Sequence, residues 1–119
     1  MRRDMDLIRS MLKAVADSDA PMDAQAFTDD AHPFPVIAYH ADLLRQAGLA
    51  DVSEVKDAGG KIVLATIGPL TWEGNDFLDA IRSDAVWSRA KRLVASRVGS
   101  APFEVLKAVA VKIATDALL

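Results

Sequence analysis

The sequence predicts a mainly α-helical chain with a small β-hairpin wing, similar in plan to a winged helix-turn-helix. The first observation is that Tyr39–Leu49 carries apolar residues at helical spacing and ends in Ala-Gly-Leu. The second is that Leu70–Leu78 places Leu-Thr before a further helical pattern, and the third is a pair of β-prone runs around Gly59-Gly60. A helix, a hairpin and a capped helix in this order indicate a recognition module rather than an enzyme.

The chain is predicted to open with a helix over about residues 4–16, where Asp4 and Asp6 complement the helix dipole. Its apolar residues at helical spacing are Met5, Ile8, Met11, Leu12 and Val15. Asp17–Pro21 ends the helix with turn-forming residues. A short extended piece is expected over Met22–Phe27, and Thr28–Pro35 is expected to be irregular or a single turn because prolines disfavour a helix immediately before them.

The next helix is predicted from Pro35 or Val36 to Ala47, since proline suits a first helical turn. Gly48 is expected to stop this helix at the C′ position, with Leu49 packing back onto its last turn.

A two-stranded hairpin is predicted to follow, with strands Val52–Val55 and Ile62–Ile67. Asp57–Lys61 supplies the bend between them, and Gly68-Pro69 is expected to close the second strand.

The C-terminal part of the chain is predicted to be helical. Thr71 is expected to cap one helix and Ser83 or Asp84 a second, which ends at Gly99. Ser100–Pro102 is predicted to start the last helix, which is apolar around much of its circumference. Within a single domain spanning residues 1–119, the helices of residues 83–119 are therefore expected to form a homodimer interface. The alternative is that the last helix lies in a groove of its own domain.

Composition excludes several classes of protein. The chain has 119 residues, of which 51% are hydrophobic and 26% are charged, as expected for one soluble domain. It contains no cysteine, so disulfides, thiol nucleophiles and thiolate metal sites are excluded. Neither a signal peptide nor an apolar run long enough to cross a membrane is recognised, and a cytoplasmic location is expected.

The charges are distributed unevenly along the chain, although the net charge is only −3. From Asp17 to Glu54 there are eight acidic residues, and Arg45 is the only basic one. From Arg82 to Lys112 there are seven basic residues against two acidic ones. Such asymmetry is typical of a nucleic-acid face or an acidic-partner face, and equally of ordinary solvated helices.

Four phrases in the same order resemble a bacterial and prophage family called domain of unknown function 2513. They are Arg3–Arg9, Tyr39–Leu49, Leu70–Arg82 and Ala101–Lys107, so the resemblance covers nearly the whole chain. It implies a small, often phage-associated protein with a winged-helix-like body. It implies no biochemical activity.

The predicted function is DNA binding or transcription-linked regulation, because the helix before the hairpin of a winged helix usually reads the major groove. The solvent side of that helix offers Tyr39, Arg45 and Gln46, and arginine and glutamine suit guanine and adenine edges respectively. Lys56 and Lys61 at the wing tip suit phosphates.

Several acidic residues oppose this prediction, since Asp42 on the same helix would face a polyanion. The alternative is a protein-interaction module, such as a phage or defence accessory protein that does not bind DNA. A second basic surface is offered by residues of the later helices, namely Arg82, Arg89, Lys91, Arg92 and Arg97.

The remaining polar and aromatic residues are predicted to be structural. His40 lies on an apolar stripe and is expected to be buried with a hydrogen bond to a carbonyl group. Trp72 and Trp87 fall in helical apolar patterns and are expected in the core. A metal site formed by Asp30, His32 and His40 matches no recognised spacing, so neither a metal nor another cofactor is predicted. No catalytic or nucleotide-binding motif is found, and the chain is not predicted to be an enzyme.

Overall fold

The computed structural model of the protein describes residues 1–98 and 103–118. The helices are α1 (Met5–Asp17), α2 (Phe34–Gln46), α3 (Trp72–Ile81), α4 (Asp84–Val98) and α5 (Phe103–Leu118), with a 3₁₀ helix over Ala24–Phe27. The strands are β1 (Met22–Asp23), β2 (Ala50–Lys56) and β3 (Ile62–Leu70). The protein is therefore mainly helical with a small antiparallel sheet, as predicted at that level. The predicted helix stop at Gly99 and helix start at Ser100–Pro102 lie outside the described residues.

The chain divides into two compact units, Met1–Asn75 and Asp76–Leu119. In the first unit, α1 packs against α2 and β3, and α2 contacts both long strands and the 3₁₀ helix. In the second unit, α4 and α5 pack against each other. None of the helices in the described ranges combines the length and apolar character needed to cross a membrane.

The start of α1 follows from its capping residue. Asp4 has an extended backbone, and its carboxylate accepts hydrogen bonds from the backbone N–H groups of Asp6 and Leu7. Four residues of the predicted apolar stripe, Ile8, Met11, Leu12 and Val15, are buried together with Leu7, whereas Met5 is half-buried. The first helix was thus predicted within one residue at each end.

The hairpin is part of a three-stranded sheet with the order β1-β3-β2, in which all neighbours are antiparallel. The prediction of a two-stranded hairpin was incomplete, because Met22 and Asp23 pair with Ile67 and Thr66 on the free edge of β3. The prediction that Gly68-Pro69 closes the second strand was wrong. β3 continues past Gly68 and Pro69. These two residues have no direct partner on β2, and the pairing continues at Leu70, which pairs with Ala50.

The end of α2 follows the predicted glycine signal. Proline occupies the first turn, and Gly48 has a φ of 70°, a left-handed conformation that glycine adopts without strain. The N–H of Leu49 donates to the carbonyl of Leu44 at 3.0 Å, and Leu49 is buried. This cap determines where the chain leaves the helix to enter β2.

The start of α3 is tied to the end of α2. The hydroxyl of Thr71 accepts from the N–H of Gly74 at 3.0 Å and donates to the carbonyl of Gly48 at 2.5 Å, so the predicted cap is confirmed. Position 74 has no room for a side chain, because a Cβ there would overlap the carbonyl group of Leu49. Glycine at this position lets the helix start approach the turn between α2 and β2.

The second unit contains α4 and α5 together with the part of α3 from Asp76 onwards. Ser83 precedes α4, and its hydroxyl oxygen accepts from the N–H of Val86 at 3.4 Å. Trp87 and Ala90 of α4 are buried, as are Leu106 and Ala110 of α5, so the prediction for Trp87 is confirmed. On α5, Val105 and Val111 are exposed, and a homodimer through this helix stays a prediction.

The prediction that Trp72 belongs to the core was wrong, because its side chain is 81% exposed. Trp72 is the first residue of α3, whereas the buried face of that helix consists of Phe77, Leu78 and Ile81. The apolar pattern alone did not show that Trp72 is exposed. Trp72 lies about one and a half helical turns before the buried residues of α3, next to the capping residue Thr71.

Candidate nucleic-acid interface

The predicted recognition residues Tyr39, Arg45 and Gln46 all lie on α2. Arg45 and Gln46 are exposed, as predicted. Tyr39 is half-buried, and its ring meets the ring of His40 edge-on at a centroid distance of 5.3 Å. The two predicted recognition residues that are exposed therefore both lie in the last turn of α2.

Both exposed residues are already bound to Asp42. Oδ1 of Asp42 lies 2.9 Å from Nε and 2.8 Å from Nη2 of Arg45. Oδ2 of Asp42 accepts from the side-chain amide of Gln46 at 2.6 Å. Spacings of three and four residues bring these side chains onto one side of the helix, so the contact was foreseeable from the sequence.

Glu54 of β2 joins this group from the neighbouring strand. Its Oε1 lies 3.2 Å from Nε of Arg45, and its side chain is only 9% exposed. Its Oε2 is buried without a hydrogen-bond partner in the described structure. We refer to Asp42, Arg45, Gln46 and Glu54 together as the Asp42 cluster.

The two carboxyl groups of the Asp42 cluster have pKa values displaced in opposite directions. Burial raises the pKa of Glu54 above its ordinary value, and the neighbouring Asp42 carboxylate raises it further. Burial also acts to raise the pKa of Asp42, but hydrogen bonds from Arg45 and Gln46 outweigh it, so that this pKa is lowered. Asp42, next to the guanidinium group, therefore ionises at a lower pH than Glu54 does.

Lys56 and Lys61 lie at the end of the hairpin and are exposed, as predicted for a wing tip. The bend between them is organised by Asp57, whose Oδ1 accepts from the N–H groups of Gly59 and Lys61 at 2.9 and 3.0 Å. Asp57 thus uses its carboxylate to hold the turn that separates the two lysines.

One face of the hairpin is apolar beside these lysines. Val55 and Leu64 are direct cross-strand partners, so their side chains lie on the same face, and both are about half exposed at 56% and 48%. The opposite face contains Ala65 and Ile67, which are buried. The exposed apolar pair was not among the predicted site residues, although the run Ile62-Val63-Leu64 is uniformly apolar in the sequence.

His40 is structural, as predicted. Its side chain is fully buried, its Nε2 accepts from the N–H of Asp4 at 2.9 Å, and its Nδ1 lies 2.8 Å from the carbonyl of Val36. Since a backbone N–H can only donate, Nε2 is the acceptor and the proton is on Nδ1, which donates to Val36. The ring thereby joins the start of α1 to the first turn of α2.

The two histidines of the conceivable metal site are engaged elsewhere. Nδ1 of His32 contacts Asp29 at 2.9 Å, and its Nε2 lies 3.9 Å from Asp4. Both nitrogens of His40 make backbone hydrogen bonds. Among residues 1–98 and 103–118, no three side chains of metal-binding type come together.

The basic residues of the later helices belong to the second unit. Arg89 and Arg92 of α4 are exposed, and the ammonium group of Lys91 lies 5.4 Å from the centre of the Trp87 ring. The side chain of Arg97 lies outside the described residues. These basic residues therefore belong to a different unit from α2.

Comparisons with known proteins identify relatives without an assigned activity. The family model described as a hypothetical protein (DUF2513) matches residues 2–100. An uncharacterized protein of Haemophilus influenzae is 31% identical over 119 residues, which cover 99% of each chain. No solved structure matches this chain.

Proposed function

The chain belongs to the family DUF2513, and we propose that it recognises duplex DNA through α2, with the β2–β3 hairpin as a wing. What supports the proposal is the order of elements in the first unit: α1, β1, a 3₁₀ helix, α2 and the hairpin. In the proposed arrangement, the 3₁₀ helix corresponds to the first helix of the helix-turn-helix. Its neighbour α2 then corresponds to the recognition helix.

The chemistry of the α2 face suits base recognition. A guanidinium group can donate two hydrogen bonds to O6 and N7 of guanine, and a side-chain amide can pair with adenine. Arg45 and Gln46 offer these two groups on the last turn of the helix. Lys56 and Lys61 at the hairpin end supply charge for phosphates beyond the bases.

The proposal is tested by fluorescence polarisation with labelled duplexes at low salt, after a preferred sequence has been selected with the wild-type protein. Arg45→Ala is expected to weaken binding to the preferred sequence by about 1–3 kcal/mol and to change binding to other sequences little. Arg92→Ala removes an exposed arginine of α4 and serves as the matched control. Absence of wild-type binding to any duplex at low salt contradicts the proposal.

A protein-interaction module is the second candidate, favoured by the apolar groups that the first unit exposes. Trp72, Val55 and Leu64 are large apolar side chains in contact with solvent. β2 is an edge strand of the described sheet, so an extended peptide could pair with it, and Val55 and Leu64 would offer apolar contacts beside that peptide.

This second candidate predicts a different set of sensitive residues. Leu64→Ser would abolish binding of a selected peptide while Arg45→Ala would leave it unchanged. Selection from a peptide display library, followed by calorimetry with both variants, measures this. If peptides are selected whose binding ignores Leu64 and Val55, the hairpin face is not their binding site.

A further inference from the structure

We propose that Asp42 determines the specificity of α2 by competing with DNA for Arg45 and Gln46. The inference rests on the proposed DNA-binding function and adds to it a residue that need not touch the DNA. It starts from the observation that both recognition side chains are bound to the same carboxylate.

The geometry makes Asp42 an effective competitor. Its two oxygens serve the two side chains separately, Oδ1 holding Arg45 and Oδ2 holding Gln46. Both contacts are short, at 2.6–2.9 Å, and the contact to Arg45 is charge-assisted. A ligand that engages both side chains must therefore offer acceptors that replace two well-made interactions.

The edge of a base meets this requirement better than an isolated phosphate group does. The major-groove edge of guanine presents two acceptors in the geometry of a guanidinium fork, so Arg45 can exchange Asp42 for a comparable partner. A phosphate group met without base contacts brings its negative charge towards the Asp42 carboxylate, which repels it. Asp42 is thus expected to suppress binding to arbitrary sequences more than binding to the preferred one.

Glu54 strengthens the competition from the other side of Arg45. With Arg45 in place, the guanidinium group lies within 3.2 Å of Glu54 and 2.9 Å of Asp42. When Arg45 turns to DNA, the two carboxyl groups lose this shared cation, and Glu54 remains between the Asp42 carboxylate and the more weakly acting Lys56 on the same strand. Departure of Arg45 therefore favours protonation of the carboxyl pair.

The decisive experiment compares Asp42→Asn with Asp51→Asn by fluorescence polarisation on a random-sequence duplex and on the selected one. Asp51 is an exposed residue of β2, so the control removes the same charge without touching Arg45. Asp42→Asn is expected to tighten binding to the random duplex on the order of tenfold, equivalent to ~1.4 kcal/mol, with a smaller gain on the selected duplex. Asp51→Asn is expected to change both affinities equally and by less.

A double-mutant cycle tests whether Asp42 acts through Arg45. In an Arg45→Ala background, Asp42→Asn should have a clearly smaller effect, because only the contact to Gln46 and the repulsion of phosphates remain to be removed. Binding of the wild-type protein should also tighten as the pH falls, and Glu54→Gln should flatten this dependence. A purely structural role of Asp42 would leave the pH profile unchanged.

The outcomes separate this inference from the proposed function. If the wild-type protein binds duplex DNA and the two Asp→Asn variants behave alike, the competition is refuted and DNA recognition stands. If no variant binds any duplex, both are refuted.

If circular dichroism shows that Asp42→Asn is unfolded, Glu54→Gln takes its place. A gain in random-duplex affinity over Asp51→Asn then supports the competition, and equal behaviour refutes it.

Discussion

His40 shows how a single polar side chain can connect two helices. Replacing it with alanine leaves the N–H of Asp4 and the carbonyl of Val36 without their partner and opens a cavity in the core. His40→Ala is therefore expected to lower the free energy of unfolding by roughly 1–3 kcal/mol. Urea denaturation followed by circular dichroism measures the change.

His32→Ala is the control for this prediction, because His32 is partly exposed and contacts Asp29 at the surface. His32→Ala should lower the free energy of unfolding by clearly less than His40→Ala does. Zinc should not raise the melting temperature of the wild-type protein, since both nitrogens of His40 are engaged. A zinc-dependent stabilisation that disappears in His40→Ala would show that His40 is a metal ligand.

Glu54 is expected to make stability depend on pH. Its native pKa lies above its ordinary value of 4.5, because burial and the Asp42 carboxylate disfavour its ionised form. Its contribution to stability is thus fully present below about pH 4.5 and is lost as the pH rises through the native pKa. Glu54→Gln removes this loss while keeping a similar shape.

The expected result is that Glu54→Gln becomes more stable relative to the wild-type protein as the pH increases from 4 to about 7. Asp42 has the opposite sign, since its lowered pKa contributes stability that is lost as the pH falls. Urea midpoints at several pH values give the difference, with Asp51→Asn as the charge control. A difference that shrinks as the pH rises would show that ionised Glu54 is stabilised by Arg45 more than it is repelled by Asp42.

At the scale of elements, the contact between the start of α3 and the turn after α2 depends on Gly74. Helix propensity alone predicts that alanine would stabilise the helix by up to ~1 kcal/mol. The structure predicts the opposite sign, because a Cβ at this position would overlap the backbone of Leu49. Gly74→Ala is expected to cost about 3 kcal/mol, at the upper end of the usual range for overpacking.

Gly59→Ala provides the matched control in the hairpin bend. A Cβ there would meet Oδ1 of Asp57 at 3.4 Å, and the N–H that bonds to Asp57 is retained. Its effect on the free energy of unfolding should stay within about 0.5 kcal/mol. If thermal denaturation ranks the two variants in the reverse order, the approach of α3 to Leu49 is not as close as described.

The elements themselves were predictable where their signals are local. Asp4, Thr71 and Gly48 each act within a few residues, and the helix starts and the helix end at these positions were confirmed. The pairing of Met22 with Ile67 joins residues that are 45 positions apart. A two-residue strand has no periodicity to reveal it, so its place in the sheet could not be predicted.

At the scale of the whole molecule, the question is which unit carries the charges that meet DNA. If α2 and the hairpin bind, Lys61→Ala should weaken binding to all duplexes similarly and reduce the slope of log affinity against log salt by about one. Lys112→Ala in the second unit should change neither quantity, since this exposed lysine contacts Asp116 on α5. A titration of polarisation against salt measures both variants.

The reverse result would be equally informative. If variants of the second unit reduce the salt slope and Lys61→Ala does not, the DNA interface lies on the basic residues of α4. The net charge of −3 does not distinguish the two units, because it sums an acidic segment and a basic one.

The sequence by itself determined where most helices begin and end, most of the apolar stripe of α1, and that His40 is buried. Caps, helical periodicity and turn residues act over one or two turns, so they can be recognised without the fold. Only the tertiary structure decided that Glu54 lies against Arg45 and that Trp72 is exposed. These features depend on which distant elements become neighbours, because burial and charge pairing are properties of the packed chain.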